Sequence, residues 1–153
     1  MRHLLISLIV PLTIISFWCI GKWWYALPED APDTMYTGFP LIYSGAGWHT
    51  SLSYQIFITE LIIDILVYFV FWFLIVFLIK RFKKEFKVAK IITFFLWIAT
   101  FILLIIQTVL LTVSDNVYHV KRPYPIQVIK TGIEFGWEIS ERPDYNNYFP
   151  KER

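Results

Sequence analysis

The chain has a single cysteine, Cys19, among its 153 residues. A lone cysteine excludes a disulfide within the chain and any paired-cysteine motif. The sequence also has no haem-attachment motif, no phosphate-binding glycine loop and no Gly-x-Ser-x-Gly nucleophile elbow. These absences count against the familiar classes of enzyme, and no cofactor or metal is expected.

Charge is also scarce, since 17% of residues are charged and 57% are hydrophobic. A formal net charge of +2 gives no indication of a nucleic-acid partner. The composition is instead typical of a small integral membrane protein.

Three apolar runs are long enough to cross a membrane, and they cover residues 4–27, 57–79 and 91–113. A bilayer core of ~30 Å needs roughly 20 helical residues at ~1.5 Å rise each. Parts of the second and third runs are apolar on every side, as in helices that contact lipid. The sequence therefore predicts a three-helix transmembrane domain over residues 1–113.

Basic residues predict the orientation of this domain. Residues 80–90, between the second and third runs, contain six lysines and arginines and one acid, Glu85. Such clusters stay on the cytoplasmic side. The loop 28–55 has acids and no lysine or arginine. The prediction is a cytoplasmic N-terminus, a cytoplasmic loop 80–90, an outer loop 28–55 and an extracytoplasmic C-terminus.

The first run resembles a secretory signal because Arg2 and His3 precede it. It is long for a signal sequence, and no small-x-small cleavage site follows it. Aromatic residues near its end, Trp18 and Trp23 to Tyr25, are typical of a membrane interface. A retained membrane anchor is the favoured interpretation.

The tail 114–153 contains a strand pattern. Apolar residues from Ile133 to Ile139 alternate with polar or small residues, which predicts a half-buried strand. Ile126 to Lys130 precedes Thr131 and Gly132, and a glycine there suits a tight turn. The prediction is a hairpin at about 126–139. The expected fold is thus an all-α integral membrane protein of three transmembrane helices with a small extracytoplasmic β-hairpin cap.

Four polar residues within the predicted spans form a candidate intramembrane cluster. Glu60 and Asp64 are four residues apart and share one helix face. In the predicted membrane, Lys22 lies at about the same depth as Glu60, and Gln107 lies at about the same depth as Asp64. Charged groups at membrane depth are costly, and they are functional candidates by default. The alternative interpretation is that this cluster holds the three helices together.

His49 is the other candidate, because the predicted topology places it on the outer side just before the second span. A histidine near Glu60 and Asp64 can transfer protons, since its unperturbed pKa is ~6.5. With those two acids and His119 it can also bind a divalent metal, although the ligand spacing of known motifs is missing. A structural role is the favoured interpretation.

The stretch from Gly38, Phe39, Pro40 and Leu41 to Gly47, Trp48 and His49, followed by an acid-bearing helix, resembles small bacterial membrane proteins. This resemblance implies a location in the bacterial cytoplasmic (inner) membrane. It names no activity.

Three functions are therefore considered. The leading one is a non-enzymatic accessory or interaction subunit of a membrane complex, whose partners are membrane lipids and either other membrane proteins or further copies of itself. The second is a proton or ion pathway component using Glu60 and Asp64. The third is an outward-facing membrane enzyme acting on a lipid-linked substrate, with catalytic candidates His49, Glu60 and Asp64.

Overall fold

The computed structural model describes residues 2–29, 32–47, 53–83, 88–112, 115–137, 142–144 and 148. The helices in this part of the chain are α1 (Arg2–Leu4), a π-helical turn (Leu5–Ile9), α2 (Val10–Cys19), α3 (Ile58–Phe82) and α4 (Lys90–Leu111). The strands are β1 (Ile20–Pro28), β2 (Thr34–Thr37), β3 (Ser44–Ala46), β4 (Tyr54–Phe57), β5 (Val117–His119) and β6 (Ile126–Phe135).

The expected all-α fold is wrong, because these strands form one mixed sheet. The strand order is β5-β4-β3-β2-β1-β6. Neighbouring strands are antiparallel except β4 and β5, which are parallel. The loop expected over 28–55 thus contains β2, β3 and the start of β4, and the tail supplies the strand at each edge.

Two of the three predicted spans are confirmed as helices that are long and apolar enough to cross a membrane, namely α3 and α4. Only 17% of the most apolar stretch of α3 is buried, and 6% of that of α4. The core helix of a soluble protein would be mostly buried. Neither helix lies near the N-terminus, where a signal sequence would be found.

The first predicted span is wrong because its helix ends at Cys19 and residues 20–28 form β1. Gly21 weakens a helix, while Trp23, Trp24 and Tyr25 favour strands. β1 lies between β2 and β6, so its backbone N–H and C=O groups find partners on both sides. An apolar run alone cannot distinguish this arrangement from a helix in lipid.

The helix before β1 contains a π-helical turn, in which the backbone N–H of Val10 donates to the carbonyl of Leu5, five residues earlier. Pro11, at the start of α2, has no backbone N–H to donate to the preceding turn. The regular ladder is therefore interrupted at this point, as is common where a π-turn forms.

The predicted hairpin at 126–139 is also wrong. Residues 126–135 form one strand, β6, which pairs with β1 from Ile20↔Phe135 to Pro28↔Ile126. Gly132 makes no turn but lies opposite Trp23, and a Cβ built on it would be 2.6 Å from the Trp23 ring. Close packing against an aromatic ring, rather than chain reversal, explains this glycine. Residues 138 and 139 lie outside the described part.

Two apolar cores stabilise the fold. One lies on the sheet face that carries Ala26, Tyr36 and Phe57, and the side chains of Ile42 and Tyr124 pack against these residues. The other joins the N-terminal helix to the far half of α3 through Leu4, Ile9 and Val76. The helices α2, α3 and α4 also meet the sheet at one end of the molecule. α2 continues into β1, β4 continues into α3, and β5 follows α4 in the chain.

Candidate functional site

Asp64 lies at this junction between the sheet and the helices and is completely buried. The backbone N–H of Phe39 donates to its Oδ2 at 2.7 Å, and that of Leu41 donates to its Oδ1 at 3.0 Å. Both carboxylate oxygens thus hold the loop between β2 and β3. This loop begins at Gly38, which has φ +152° and no room for a Cβ, since Leu41 O lies 1.9 Å from the ideal position.

Glu60 lies one helical turn earlier. Its Oε1 accepts a long hydrogen bond of 3.4 Å from the backbone N–H of Arg122. Its Oε2 is buried and has no hydrogen-bond partner among the described residues. Glu60 therefore contributes less than Asp64 to holding the described backbone.

Lys22 lies on β1 and not within a helix. Its ammonium is 3.6 Å from the centroid of the Trp24 ring, a cation–π contact. The expected pair with Glu60 is not found, since the ion pair identified in the described ranges joins Arg142 and Asp33. The depth argument for Lys22 depended on a helix that ends before it.

Gln107 lines a cavity of about 570 Å³ between the sheet and the helices. We call this space the junction cavity. Its walls are apolar side chains from α2, α3 and α4, including Phe17, Ile65 and Leu104. α2 packs against both α3 and α4, whereas these two long helices make little contact with each other.

The sheet closes the other side of the junction cavity with polar groups. Thr37, Ser44 and Glu134 line this side of the cavity. The Thr37 hydroxyl donates a hydrogen bond to Oε2 of Glu134 at 3.4 Å. Tyr43 also lines the cavity, and burial raises the pKa of its phenol, with a further contribution from the Asp64 carboxylate. Tyr43 therefore stays a neutral hydroxyl group at physiological pH.

The other polar lining groups are on the helices and the loop after α4. Gln107 and Asn116 are two of them, and Asn116 also caps α4 by donating to the carbonyls of Leu110 and Leu111. Glu134 is the charged residue among the described lining residues, which include no lysine or arginine. The cavity is therefore amphipathic and slightly acidic.

The predicted histidine site is not described by the structure, because His49 lies outside the described residues. His119 is on β5, where its ring lies 6.1 Å from the Phe57 ring. Within the described ranges, no group of three His, Cys, Asp or Glu side chains is placed to hold a metal ion.

Sequence reasoning missed a second polar cluster, at the far end of β1. The Tyr25 hydroxyl donates to Oδ2 of Asp33 at 2.5 Å, and Arg142 pairs with the same oxygen at 2.6 Å. Burial and the Asp33 carboxylate raise the pKa of Tyr25 to about 12. The hydrogen bond from Arg142 lowers the pKa of Asp33. Since Arg142 is 109 residues from Asp33, no local pattern indicated the contact.

β6 presents its apolar residues outward. The alternation in the sequence predicted that Ile133 and Trp137 lie on the covered face of a half-buried strand, yet they are 71% and 72% exposed. Glu134, on the polar side of the pattern, lines the junction cavity instead. We call the outward residues the β6 patch, and they are Val128, Ile133, Phe135 and Trp137.

Comparisons of the chain with protein-family models, with curated proteins and with solved structures give no match. Any proposal about function therefore rests on the residues of this chain.

Proposed function

We propose that the chain is an integral membrane protein in which α3 and α4 cross the bilayer, and that it acts as a non-enzymatic accessory subunit of a membrane complex. The exposed apolar side chains around α3 and α4 support the membrane placement. The use of Asp64 to hold a loop supports a structural rather than a catalytic role for the best-placed acid.

The β6 patch is the observation that carries the accessory role. The register places Ile133 opposite Lys22 and Val128 opposite Ala26, so both apolar residues lie on one face of the sheet. Both are exposed on β6, which is an edge strand among the described strands, and an edge strand can pair with a further strand. Exposed apolar surface of this kind marks interaction sites in proteins. A partner protein that covers β6 would bury the apolar side chains of the β6 patch.

The orientation follows from the charges at the other end of the helices. Lys80, Arg81 and Lys83 lie at the end of α3, and Lys90 starts α4. Cationic residues beside a span favour the cytoplasmic side. The sheet end carries Trp18, Tyr54 and Tyr118 instead, as expected of a membrane interface. We place the sheet on the extracytoplasmic side of a bacterial inner membrane.

The test is purification of a tagged full-length chain in mild detergent, with quantitative mass spectrometry of retained protein. We expect a stoichiometric partner with the wild type and its loss with Ile133→Lys, which puts a charge in the β6 patch. Gln127→Lys is the matched control, because Gln127 is exposed on the same strand but lies on the opposite face. Retention of the partner by both variants would contradict the proposal.

A proton or ion pathway is the second candidate, and the unpartnered Oε2 of Glu60 is the observation that favours it. It predicts a pH-dependent flux in proteoliposomes that Glu60→Gln abolishes. Thr59→Ser, at the neighbouring position, is the control and should leave that flux unchanged. An equal flux in empty vesicles would eliminate this candidate.

A further inference from the structure

The end of the molecule opposite the sheet carries an excess of positive charge. Residues 80–90 contain six lysines and arginines and one acid, Glu85, an excess of five positive charges. The structure places four of these cations at the end of α3 and the start of α4. We call these four residues the basic end, and they are Lys80, Arg81, Lys83 and Lys90.

A third segment of the chain lies at the same end. Leu4 belongs to the apolar cluster that contains Val76 of α3, and Val88, just before α4, packs against this cluster. The N-terminal helix, which starts at Arg2, therefore begins beside the basic end. The tertiary structure thus brings one more cationic residue to this part of the molecule.

The basic end has no compensating charge in the part of the chain that the structure describes. None of its four side chains makes an ion pair or a hydrogen bond with another described residue. Arg81, Lys83 and Lys90 are exposed, and the first turn of α4 contains no acidic residue. Like charges repel one another, so an anionic partner would stabilise this end of the molecule.

The lengths of the helices put the basic end at the membrane surface. α3 has 25 residues, which gives a length of about 37 Å at ~1.5 Å per residue and exceeds a hydrocarbon core of ~30 Å. Phe82, between Arg81 and Lys83, is 82% exposed. Aromatic residues at the end of a span lie among lipid head groups. The cations beside Phe82 therefore lie at the level of the lipid phosphates.

We infer that the basic end binds anionic phospholipids of the cytoplasmic leaflet, such as phosphatidylglycerol, and selects them over zwitterionic lipids. Clusters of about four to eight lysines and arginines next to a span have this preference, worth about fivefold in affinity for each cation. A choline or ethanolamine head carries its own cation and cannot offset the excess charge. The inference goes beyond the accessory role and rests on the proposed placement and orientation of α3 and α4.

The position of the cations favours lipid over an acidic protein as the occupant. Lys80 and Arg81 belong to the last turn of α3, and Lys90 is the first residue of α4. The cations thus border the apolar spans directly. Lipid head groups surround a span on every side, so an anionic lipid reaches these cations without a dedicated binding partner.

Native mass spectrometry of the purified full-length chain tests the preference. The probes are phosphatidylglycerol, phosphatidylcholine and phosphatidylethanolamine with identical acyl chains. We expect the wild type to bind phosphatidylglycerol about tenfold more tightly than the other two lipids, and the preference should fall as the ionic strength rises. Equal binding of the three lipids would overturn the inference. This comparison needs no variant, so it decides even where a variant does not fold.

A matched pair of double variants tests the location. Lys83→Gln with Lys90→Gln should weaken phosphatidylglycerol binding at least about fivefold. Lys121→Gln with Lys130→Gln removes the same charge from two exposed lysines on the sheet side and should leave the binding unchanged. An equal loss in both double variants would show that net charge, rather than the basic end, is responsible, and would overturn the location.

Two further results would assign the basic end to another occupant. The soluble probe is glycerol 3-phosphate, which has the phosphate of the lipid without its acyl chains and should not displace phosphatidylglycerol. Displacement at equal concentration would overturn a membrane lipid as the ligand. Equal binding of the three lipids, together with an acidic protein that the wild type retains and the Lys83 and Lys90 double variant loses, would assign the basic end to that protein.

Failure of this inference can be distinguished from failure of the proposed function. A wild-type chain that stays in the membrane after alkaline extraction but binds the three lipids equally would contradict this inference alone. Release of the wild type by alkaline extraction would contradict the membrane placement itself. Loss of the protein partner of the β6 patch with the lipid preference retained would contradict only the accessory role.

Discussion

At the scale of single residues, Asp64 accepts two backbone hydrogen bonds, whereas Glu60, the other acid of the predicted cluster, accepts one long one in the described part of the chain. The two carboxylate oxygens of Asp64 accept hydrogen bonds from two backbone N–H groups of one loop, and the side chain is fully buried. A buried N–H that loses its acceptor costs about 1–3 kcal/mol. The acid that the sequence marked as functional is thus first a structural element.

Asp64→Asn should therefore reduce the free energy of unfolding by about 1–3 kcal/mol, because the amide nitrogen would face an N–H donor. Chemical unfolding in detergent, followed by tryptophan fluorescence, measures this loss. Glu60→Gln serves as the control, since Glu60 accepts only one long hydrogen bond from a backbone N–H. A loss as large for Glu60→Gln as for Asp64→Asn would argue against this role.

The Tyr25, Asp33 and Arg142 cluster should make stability depend on pH. The pKa of Asp33 is lower in the folded chain than in the unfolded chain, so its contribution is complete above the ordinary value of about 4. It is lost as the pH falls through the folded pKa. Since the Arg142 side chain is 57% exposed, we expect only about 0.5 kcal/mol after solvent screening.

The measurement is the difference in unfolding free energy between the wild type and Asp33→Asn from pH 7 to pH 2. The difference should shrink towards acid pH. A difference that stays constant over this range would show that the ion pair does not stabilise the fold.

At the scale of elements, α3 and α4 differ from the N-terminal helix in how little they pack. Their apolar side chains are exposed nearly all round, whereas α2 contacts both of them and continues into the sheet. Length and apolar composition were enough to predict α3 and α4, because each is apolar over more than 20 residues and needs no particular partner.

Insertion of α3 should therefore be sensitive to charge at its middle. Val70→Lys places a cation near the centre of the helix, where insertion scales give a cost of about 2.5–3.5 kcal/mol. Phe82→Lys, at the end of the same helix, should be tolerated. The membrane-integrated fraction, measured after alkaline extraction, should fall for Val70→Lys alone, and equal integration of both variants would count against a spanning α3.

β1 and β6 illustrate why the other elements were mispredicted. Residues 20–28 are apolar and aromatic enough to extend a helix, but they form a strand because β6, about a hundred residues later, pairs with them. The alternation in β6 was visible in the sequence, but the face expected to be covered is the exposed one. Ile133 is exposed, and Glu134 lines the cavity. Periodicity identifies two faces but does not say which one is buried.

At the scale of the whole molecule, the helices end at one side in a sheet and at the other in lysines and arginines. With Cys19 replaced by serine, the variants Lys83→Cys and Lys130→Cys provide one label at each end, and both positions are exposed. A membrane-impermeant thiol reagent applied to intact cells should label Lys130→Cys and leave Lys83→Cys unlabelled until the membrane is opened. Labelling of both from outside would contradict the proposed orientation.

The sequence by itself determined the two long apolar helices, the basic connection between them and the presence of polar groups near their sheet ends, because these features depend on local composition. It did not determine the sheet, the loop held by Asp64, the Arg142 contact or the junction cavity. Each of those joins segments far apart in the chain, and several local patterns are compatible with more than one partner. Only the tertiary structure decided which backbone groups pair, and therefore which side chains line the cavity and which remain exposed.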